Sequence, residues 1–311
     1  MDHPPGTADG RNFAIGAAAA LSAALIWGSW IVVTRLGVTT TLAPTDVAVL
    51  RFGIPAVVLL PVLLREGFAL KRIGIGRTAM MVAGAGLPFF LVSSAGMKFA
   101  PASHAGALLP GTMPLFVALL AALFDGERFS AVRLGGFGFV IAGVLAIGGY
   151  QLLAGDGGEW RGDLLFLAGA FLWAVYTLVF RRAGIGAWHG AALINAYSII
   201  GLLPLALWTG SHLTELSWPQ LGLQALSQGV LSGIVALFAY GLAIRRLGAP
   251  RAAVFISLTP VIAALIALPV LGERPDVATS LGIVAVSLGV ALASGAIRLP
   301  STRQNGATIT R

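Results

Sequence analysis

The sequence contains no cysteine and few charged residues. The absence of cysteine among its 311 residues excludes disulfides, thiolate metal sites and cysteine nucleophiles. Charged residues make up only 10% of the chain and hydrophobic residues 57%, whereas an ordinary soluble domain is roughly 25% charged. One soluble globule could not bury so many apolar residues, but a surface that faces lipid can display them. With a mean hydropathy of +0.90, the chain is predicted to be an all-α integral membrane protein.

The sequence also lacks the motifs of common enzymes and pumps. It has no H-E-x-x-H, no paired acidic metal motif, no G-x-S-x-G and no Walker loop. We therefore expect no enzyme activity, no cofactor and no metal. The net charge of +8 does not indicate nucleic-acid binding, because the basic residues lie at the ends of apolar runs and form no patch interleaved with aromatic residues.

Apolar runs of about 20 residues, bounded by charged residues or by Pro and Gly turns, predict ten transmembrane helices. We place these spans at 13–34, 46–64, 78–97, 103–123, 131–150, 163–180, 189–209, 221–243, 252–270 and 277–297. The first run is longer than the apolar core of a secretory signal, so it is predicted to be a retained helix. The polar segments 1–12 and 298–311 are predicted to be tails.

The distribution of basic residues predicts how the chain crosses the membrane. If the amino terminus is cytoplasmic, fifteen of the twenty Lys and Arg residues fall on the cytoplasmic side. Only Arg35, Lys98, Arg161 and Arg274 fall outside, and Arg51 lies within the second span. The positive-inside rule therefore predicts that both tails are in the cytoplasm and that the protein lies in a bacterial-type inner membrane.

An internal repeat divides the chain into two predicted five-helix halves, 13–150 and 163–297. One gapless offset of 146 residues pairs Trp27 with Trp173, Arg35 with Arg181, Ala107 with Ala253, Pro114 with Pro260, Gly126-Glu127-Arg128 with Gly272-Glu273-Arg274, Gly136 with Gly282, and Gly143 with Gly289. Because each half has an odd number of spans, the second half is predicted to enter the membrane upside down. Such inverted repeats are typical of secondary transporters.

The repeated segments are similar to a known family. Pro114 through Gly143, its copy Pro260 through Gly289, and Trp27-Gly28 followed by Arg35 resemble the EamA-type drug/metabolite transporter superfamily. Within that superfamily the chain is most similar to the YddG-type aromatic amino-acid exporters. The resemblance implies a ten-helix basket whose central cavity is lined mainly by spans 1, 3, 4, 6, 8 and 9, and it implies export of amino acids or similar metabolites.

Aromatic residues on those spans are candidate substrate-binding residues, namely Trp27, Trp30, Phe90, Trp173, Tyr176 and Tyr240. Aromatic faces attract an ammonium by about 0.5 to 2 kcal/mol and stack with aromatic side chains, which suits an amino acid. An interfacial belt or plain packing is the alternative, but Trp27 and Trp173 lie near mid-span. Ser94 and Ser257 are candidates for orienting a zwitterion, although most such hydroxyls bond their own helix.

Two prolines and two ionisable residues inside or beside the spans are further candidates. Pro114 and Pro260 lie at equivalent points of spans four and nine, where they predict paired hinges or static kinks. Arg51 is a candidate gating or polar site residue, but snorkelling towards Asp46 or solvent is favoured. For His104, near the outer face, a structural hydrogen bond is favoured over a substrate or proton role.

Two patterns favour structural roles. Glu127 and Glu273, each paired with the neighbouring arginine (Arg128 and Arg274), are predicted to anchor helix ends to loops. Spans five and ten carry stripes of small residues at a spacing that allows close helix packing, namely Gly138/Ala142/Ala146 and Ala285/Gly289/Ala293. These stripes could serve packing within the protomer or a homodimer contact.

These patterns together predict a secondary exporter of amino acids, including aromatic ones, that works by alternating access. Its expected partners are a small-molecule substrate and the lipid bilayer. Because the acidic residues lie in tails, connections or span edges, transport is expected to be facilitative or weakly coupled, with His104 as the one useful titrating group. The alternatives are export of other small metabolites or lipophilic drugs, and a channel, which the inverted repeat disfavours.

Overall fold

The computed structural model describes residues 5–149 and 158–296, and within these ranges it contains helices and no strands. The α-helices are α1 (Pro5–Thr40), α2 (Pro44–Val58), α3 (Leu60–Glu66), α4 (Leu70–Ile73), α5 (Ile75–Ala85), α6 (Leu87–Gly96), α7 (Ala102–Asp125), α8 (Ala131–Val144), α9 (Glu159–Ala183), α10 (Ala187–Thr209), α11 (Trp218–Gln224), α12 (Ala236–Leu247), α13 (Ala249–Ile256), α14 (Thr259–Leu271) and α15 (Val277–Ala293). Two π-helical segments, Leu145–Gly149 and Ala225–Val235, extend α8 and join α11 to α12, and a 3-10 turn covers Leu213–Glu215.

These helices make the chain a multi-pass integral membrane protein. Within the described ranges, eight helical segments are long and apolar enough to cross a membrane. The pair α2–α3, bent by 57° around Leu59, is a ninth candidate, and α15 is a shorter apolar helix of 17 residues. All ten segments lie where the sequence predicts spans. The count of ten spans and the inversion of the second half remain predictions.

The ends of the chain differ from the expected boundaries. Helix α1 begins at Pro5, before the predicted start at Phe13, so part of the predicted tail 1–12 is helical. Proline is tolerated in a first turn because its missing N–H would have no helical partner there. The predicted ends of spans five and ten, at 150 and 297, and the tail 298–311 lie outside the described residues.

The third span is broken at Gly86. This glycine has φ −105° and ψ −142°, outside the helical range, and Pro88 follows in the first turn of α6. The N–H of Leu87, which the break deprives of a helical partner, donates to Ser198 Oγ of α10 at 3.1 Å. A neighbouring helix thus satisfies the exposed backbone group, as the apolar surroundings require.

The ninth span is also broken, and this corrects the expected symmetry of the two prolines. Helix α13 ends at Ile256, and Pro260 is the second residue of the next helix, α14. Pro114, in contrast, lies inside the continuous helix α7, together with Pro110. The prediction of equivalent mid-helix kinks is therefore wrong for Pro260, which stands at a helix start where proline fits without interrupting hydrogen bonds.

Helices α8 and α15 join the two halves through glycines related by the repeat. A Cβ added to Gly136 would lie 2.7 Å from the carbonyl oxygen of Gly289, and one added to Gly143 would lie 2.7 Å from that of Gly282. Such distances leave no room for any side chain, so the two backbones pack directly. The Gly289 stripe therefore packs within the protomer, whereas Gly138 has open space around its Cβ position.

Candidate functional site

A central cavity of about 270 Å³ lies between helices of both halves. Helices α1, α6, α7, α9, α12, α13 and α14 contribute to its wall, in agreement with the spans that the resemblance implies. Helix α2 contributes Arg51 and helix α15 contributes Val290, from spans that were not expected. The predicted site residues that line the cavity are Trp27, Trp30, Arg51, Pro114, Trp173, Tyr240, Ser257 and Pro260.

Aromatic rings pack against one another along the cavity wall, in edge-to-face or tilted pairs. The ring centroids of Trp27 and Tyr240 are 5.5 Å apart with an interplanar angle of 65°. Those of Trp173 and Phe89 are 5.2 Å apart, and Tyr176 packs behind Trp173 at 5.4 Å. Contacts of this kind hold each ring in a defined orientation. The wall is therefore a fixed set of aromatic faces, contributed by helices of both halves.

Two predicted aromatic site residues, Phe90 and Tyr176, lie outside the cavity wall. Phe90 is 1% exposed and packs its ring against Phe52 at 5.7 Å between centroids. Its neighbour Phe89 lines the cavity in its place. The choice between adjacent residues depends on how α6 is rotated after the break at Gly86, and the sequence pattern does not define that rotation.

Trp30 lines the cavity, but its indole N–H is already bonded. It donates to Gln228 Oε1 at 2.6 Å, and Gln228 Nε2 in turn donates to Thr34 Oγ1 at 2.9 Å. Gln228 is fully buried in the π-helical segment. This buried amide links the first and eighth spans, and the sequence reasoning missed it because the spacing of single residues does not reveal a partner on a distant helix.

Of the two candidate serines, Ser257 lines the cavity and Ser94 does not. Ser94 donates to the carbonyl of Phe90 at 2.7 Å, and Ser257 donates to that of Val254 at 2.6 Å. Both hydroxyls thus bond their own helix, as small hydroxyls in apolar surroundings commonly do. Thr259 also lines the cavity, and its buried Oγ1 has no hydrogen-bond partner in the described part of the chain.

Arg51 was expected to snorkel towards Asp46 or solvent, and the structure corrects the first of these two alternatives. Asp46 accepts hydrogen bonds from Ser211 Oγ at 2.9 Å and from the backbone N–H groups of Ala43 and His212 at 2.9 and 3.1 Å. These donors occupy the carboxylate at the end of α2. Arg51, five residues further along α2, lines the central cavity.

His104 is buried and does not line the cavity. Its Nδ1 lies 2.8 Å from Asp163 Oδ1, and its Nε2 lies 3.4 Å from Thr279 Oγ1. These contacts join α7 to α9 and α15, which agrees with the favoured structural interpretation. No group of three or more His, Asp or Glu residues that could hold a metal ion is present within residues 5–149 and 158–296.

An ion pair closes the bundle at its predicted outer end. Glu273 pairs with Arg35 Nε and accepts from the backbone N–H of Ala102 at 2.8 Å. Arg35 also donates to the carbonyls of Met97 and of Ala100, the latter at 2.7 Å. We call these contacts the outer latch. Glu273 was expected to pair with its neighbour Arg274, so the latch corrects that prediction by linking the two halves of the chain.

At the opposite, inner end the pseudo-equivalent residues are apart. Glu127 pairs with Arg133 at 3.1 Å and not with its neighbour Arg128. Arg181 is exposed, and no carboxylate of the described residues lies within 4.0 Å of it. An exposed pair between Arg182 and Asp125 is present at this end, but exposed pairs contribute little to stability. The repeat-related latch is therefore formed at one end only.

Comparison with known proteins gives a consistent family assignment. A sequence model of the EamA-like transporter family matches the chain twice, at residues 14–149 and 160–295. The uncharacterized transporter YyaM of Bacillus subtilis (strain 168) is 28% identical over 276 residues, which cover 83% of this chain and 87% of that protein. The uncharacterized inner membrane transporter YedA of Escherichia coli (strain K12) is 28% identical over 257 residues, which cover 80% of each chain.

A solved crystal structure is also similar in fold. It matches 89% of this chain and 96% of its own chain with a TM-score of 0.59, at 20% sequence identity. At that identity the likeness shows the fold alone.

Proposed function

Because this chain belongs to the EamA-like transporter family, we propose that it is a secondary exporter of amino acids, including aromatic ones, in a bacterial-type inner membrane. The observation that carries the proposal is the central cavity, whose wall of described residues combines aromatic rings from both halves with the cationic side chain of Arg51. An amino acid offers an ammonium for the ring faces and a carboxylate for the cation. This substrate class is the one that the resemblance to YddG-type exporters implies.

The size of the cavity supports a single small metabolite. Pockets for drug-sized ligands have volumes of roughly 300–1,000 Å³, and this cavity, at about 270 Å³, lies just below that range. Its wall is mostly apolar, so small lipophilic compounds remain the alternative substrate class. A nucleotide-sized solute would not fit without a large rearrangement.

Backbone carbonyls at the wall provide acceptors for an ammonium. Proline has no N–H, so Pro114 cannot donate to the carbonyl of Pro110, and Pro260 cannot donate to that of Ile256. Both carbonyl residues line the cavity. In this proposal Pro114 serves the site chemically, because it cannot donate to the Pro110 carbonyl, and the Ile256 carbonyl is available because α13 ends at that residue.

The arrangement of the two ends supports alternating access. The cavity wall includes Ala253 near the start of α13 and Val290 in the last turn of α15, at helix ends that are predicted to be cytoplasmic. The outer latch closes the opposite end. If the two repeats exchanged their conformations, the Arg35–Glu273 pair would break and Arg181 would approach Glu127 at the inner end. The structure thus corresponds, in this proposal, to a conformation closed outside.

A substrate panel on the purified protein in liposomes tests the proposed function. Aromatic, aliphatic, basic and acidic amino acids are compared with lipophilic drugs as competitors of labelled phenylalanine uptake. We expect saturable uptake that aromatic and large aliphatic L-amino acids inhibit and D-isomers inhibit more weakly. Non-saturable, non-stereoselective flux would indicate a channel, and inhibition by the drugs alone would assign the alternative substrate class.

A further inference from the structure

Within residues 5–149 and 158–296, Arg51 is the single charged side chain in the cavity wall. It lies seven residues after the start of α2, about 10 Å along the helix at about 1.5 Å per residue. A cation placed inside a transmembrane segment is costly and normally marks a substrate or ion pathway unless a partner neutralises it. Among the residues that the structure describes, no carboxylate lies within 4.0 Å of the Arg51 guanidinium.

The protein leaves most of the hydrogen-bonding capacity of Arg51 unused. Of its five N–H donors, one contacts the carbonyl of Gln228, at the long distance of 3.5 Å. That carbonyl also accepts from Ser232 Oγ at 2.9 Å. The ring of Phe52 is 6.0 Å from the guanidinium carbon, at the limit of a cation–π contact. In the described part of the chain, the charge therefore lacks both a counter-ion and a complete set of acceptors.

The glycine at position 233 leaves space for the guanidinium of Arg51. A Cβ added to Gly233 would lie 3.0 Å from Arg51 Nη1 and 2.7 Å from Pro55 Cγ. Glycine at this point of the π-helical segment thus lets α2 pack closely, and a larger residue would push the guanidinium away. The nearest acid along α2, Asp46, is already bonded to donors from outside α2.

From this geometry we infer that Arg51 binds the carboxylate of the transported solute, so that the site selects compounds carrying a carboxylate. A planar guanidinium holds a carboxylate through two parallel N–H···O bonds, and such charge-assisted bonds strengthen where water is excluded. The solute supplies the counter-ion that the protein withholds. This inference rests on the proposed function and extends it by making the carboxylate, and not the side chain, the required group.

Binding of two matched small molecules tests the inference without relying on flux. Calorimetry on purified protein compares 3-phenylpropionate with 3-phenylpropanamide, which differ mainly in the charge of one group. For the wild-type protein we expect the carboxylate to bind about 10- to 100-fold more tightly, the range of a charge-assisted hydrogen-bond pair. Arg51→Gln should bring this ratio close to one. Arg51→Lys should keep part of it, because lysine retains the charge but not the fork.

Arg77→Gln serves as the matched control, because Arg77 is exposed and lies outside the cavity wall; it should keep the wild-type ratio. No detectable binding of phenylpropionate, a ratio near one in the wild-type protein, or an unchanged ratio in Arg51→Gln would overturn the inference. A preference for the carboxylate without amino-acid flux would contradict the proposed function and leave the role of Arg51 standing. Amino-acid flux without that preference would overturn the role of Arg51 and leave the proposed function standing.

Discussion

Replacement of Glu273 by Gln tests whether the outer latch holds one end of the transporter closed. Glu273 pairs with Arg35 and accepts from the Ala102 N–H, and the two charged side chains are only 16% and 17% exposed. Glutamine is nearly the same size as glutamate and keeps one acceptor oxygen. It removes the charge and one of the two acceptors, so it weakens the latch with little change in packing.

The free energy that this substitution removes from the latch follows from the burial of the Arg35–Glu273 pair. Truncation of one partner of a buried, hydrogen-bonded charge pair costs about 2–5 kcal/mol, and partial exposure places this latch near the lower limit. A change of about 2 kcal/mol is about a 30-fold change in an equilibrium constant. Because the contacts of Glu273 exist only with the outer end closed, the loss acts on that conformation and shifts the population towards the outer-open one.

The absence of cysteine provides the assay. A single Ile31→Cys substitution places one thiol at the cavity wall, and a membrane-impermeant maleimide added to intact cells reports its exposure to the outside. We expect Glu273→Gln to raise the labelling rate by up to about 30-fold. Glu127→Gln, the repeat-related change at the inner end, should not raise it. Equal rates with and without Glu273→Gln, in protein that elutes as a folded species, would refute the latch.

Three further predictions concern the site, the orientation and the energy coupling. Trp27→Ala or Trp173→Ala should raise the KM for phenylalanine by roughly 2- to 30-fold, as expected for loss of an aromatic contact, while folded protein stays in the membrane. Unchanged kinetics in both variants would remove these residues from the site. Reporters fused to either terminus should be active only in the cytoplasm, and periplasmic activity at the carboxyl terminus would overturn the predicted orientation. With a pH gradient, no substrate gradient and a clamped membrane potential, we expect little uphill accumulation of substrate, because the one buried His–Asp pair of the described residues lies away from the cavity. Strong accumulation that a protonophore abolishes and that persists in His104→Ala would show proton coupling by another route.

The sequence predicts the positions of the helices well because hydropathy measures what the bilayer requires. Runs of apolar residues correspond to the helical segments, and Trp27 and Trp173, predicted near mid-span, both line the cavity. The broken helices at Gly86 and before Pro260 also follow known preferences of glycine and proline, although the sequence alone does not show that the helix stops there.

The rotation of each helix and its long-range partners could not be predicted in this way. In a soluble protein the polar face of a helix reveals its orientation, but a helix surrounded by lipid is apolar on both its outer and inner faces. The direction of Arg51 and the choice of Phe89 over Phe90 depend on that rotation. The Arg35–Glu273 pair joins residues 238 positions apart, and no local pattern identifies such a partner.

Counterflow in liposomes is the most direct test of the central claim that this chain is an amino-acid carrier with alternating access. Liposomes containing the purified protein are loaded with unlabelled L-phenylalanine and diluted into a trace of labelled L-phenylalanine. A carrier exchanges one solute for the other, so we predict a transient accumulation of label above its equilibrium level, absent from liposomes loaded with D-phenylalanine or with buffer. Entry of label that never exceeds equilibrium and does not depend on the internal solute would contradict the account, because an open pore or an unrelated substrate would give that result.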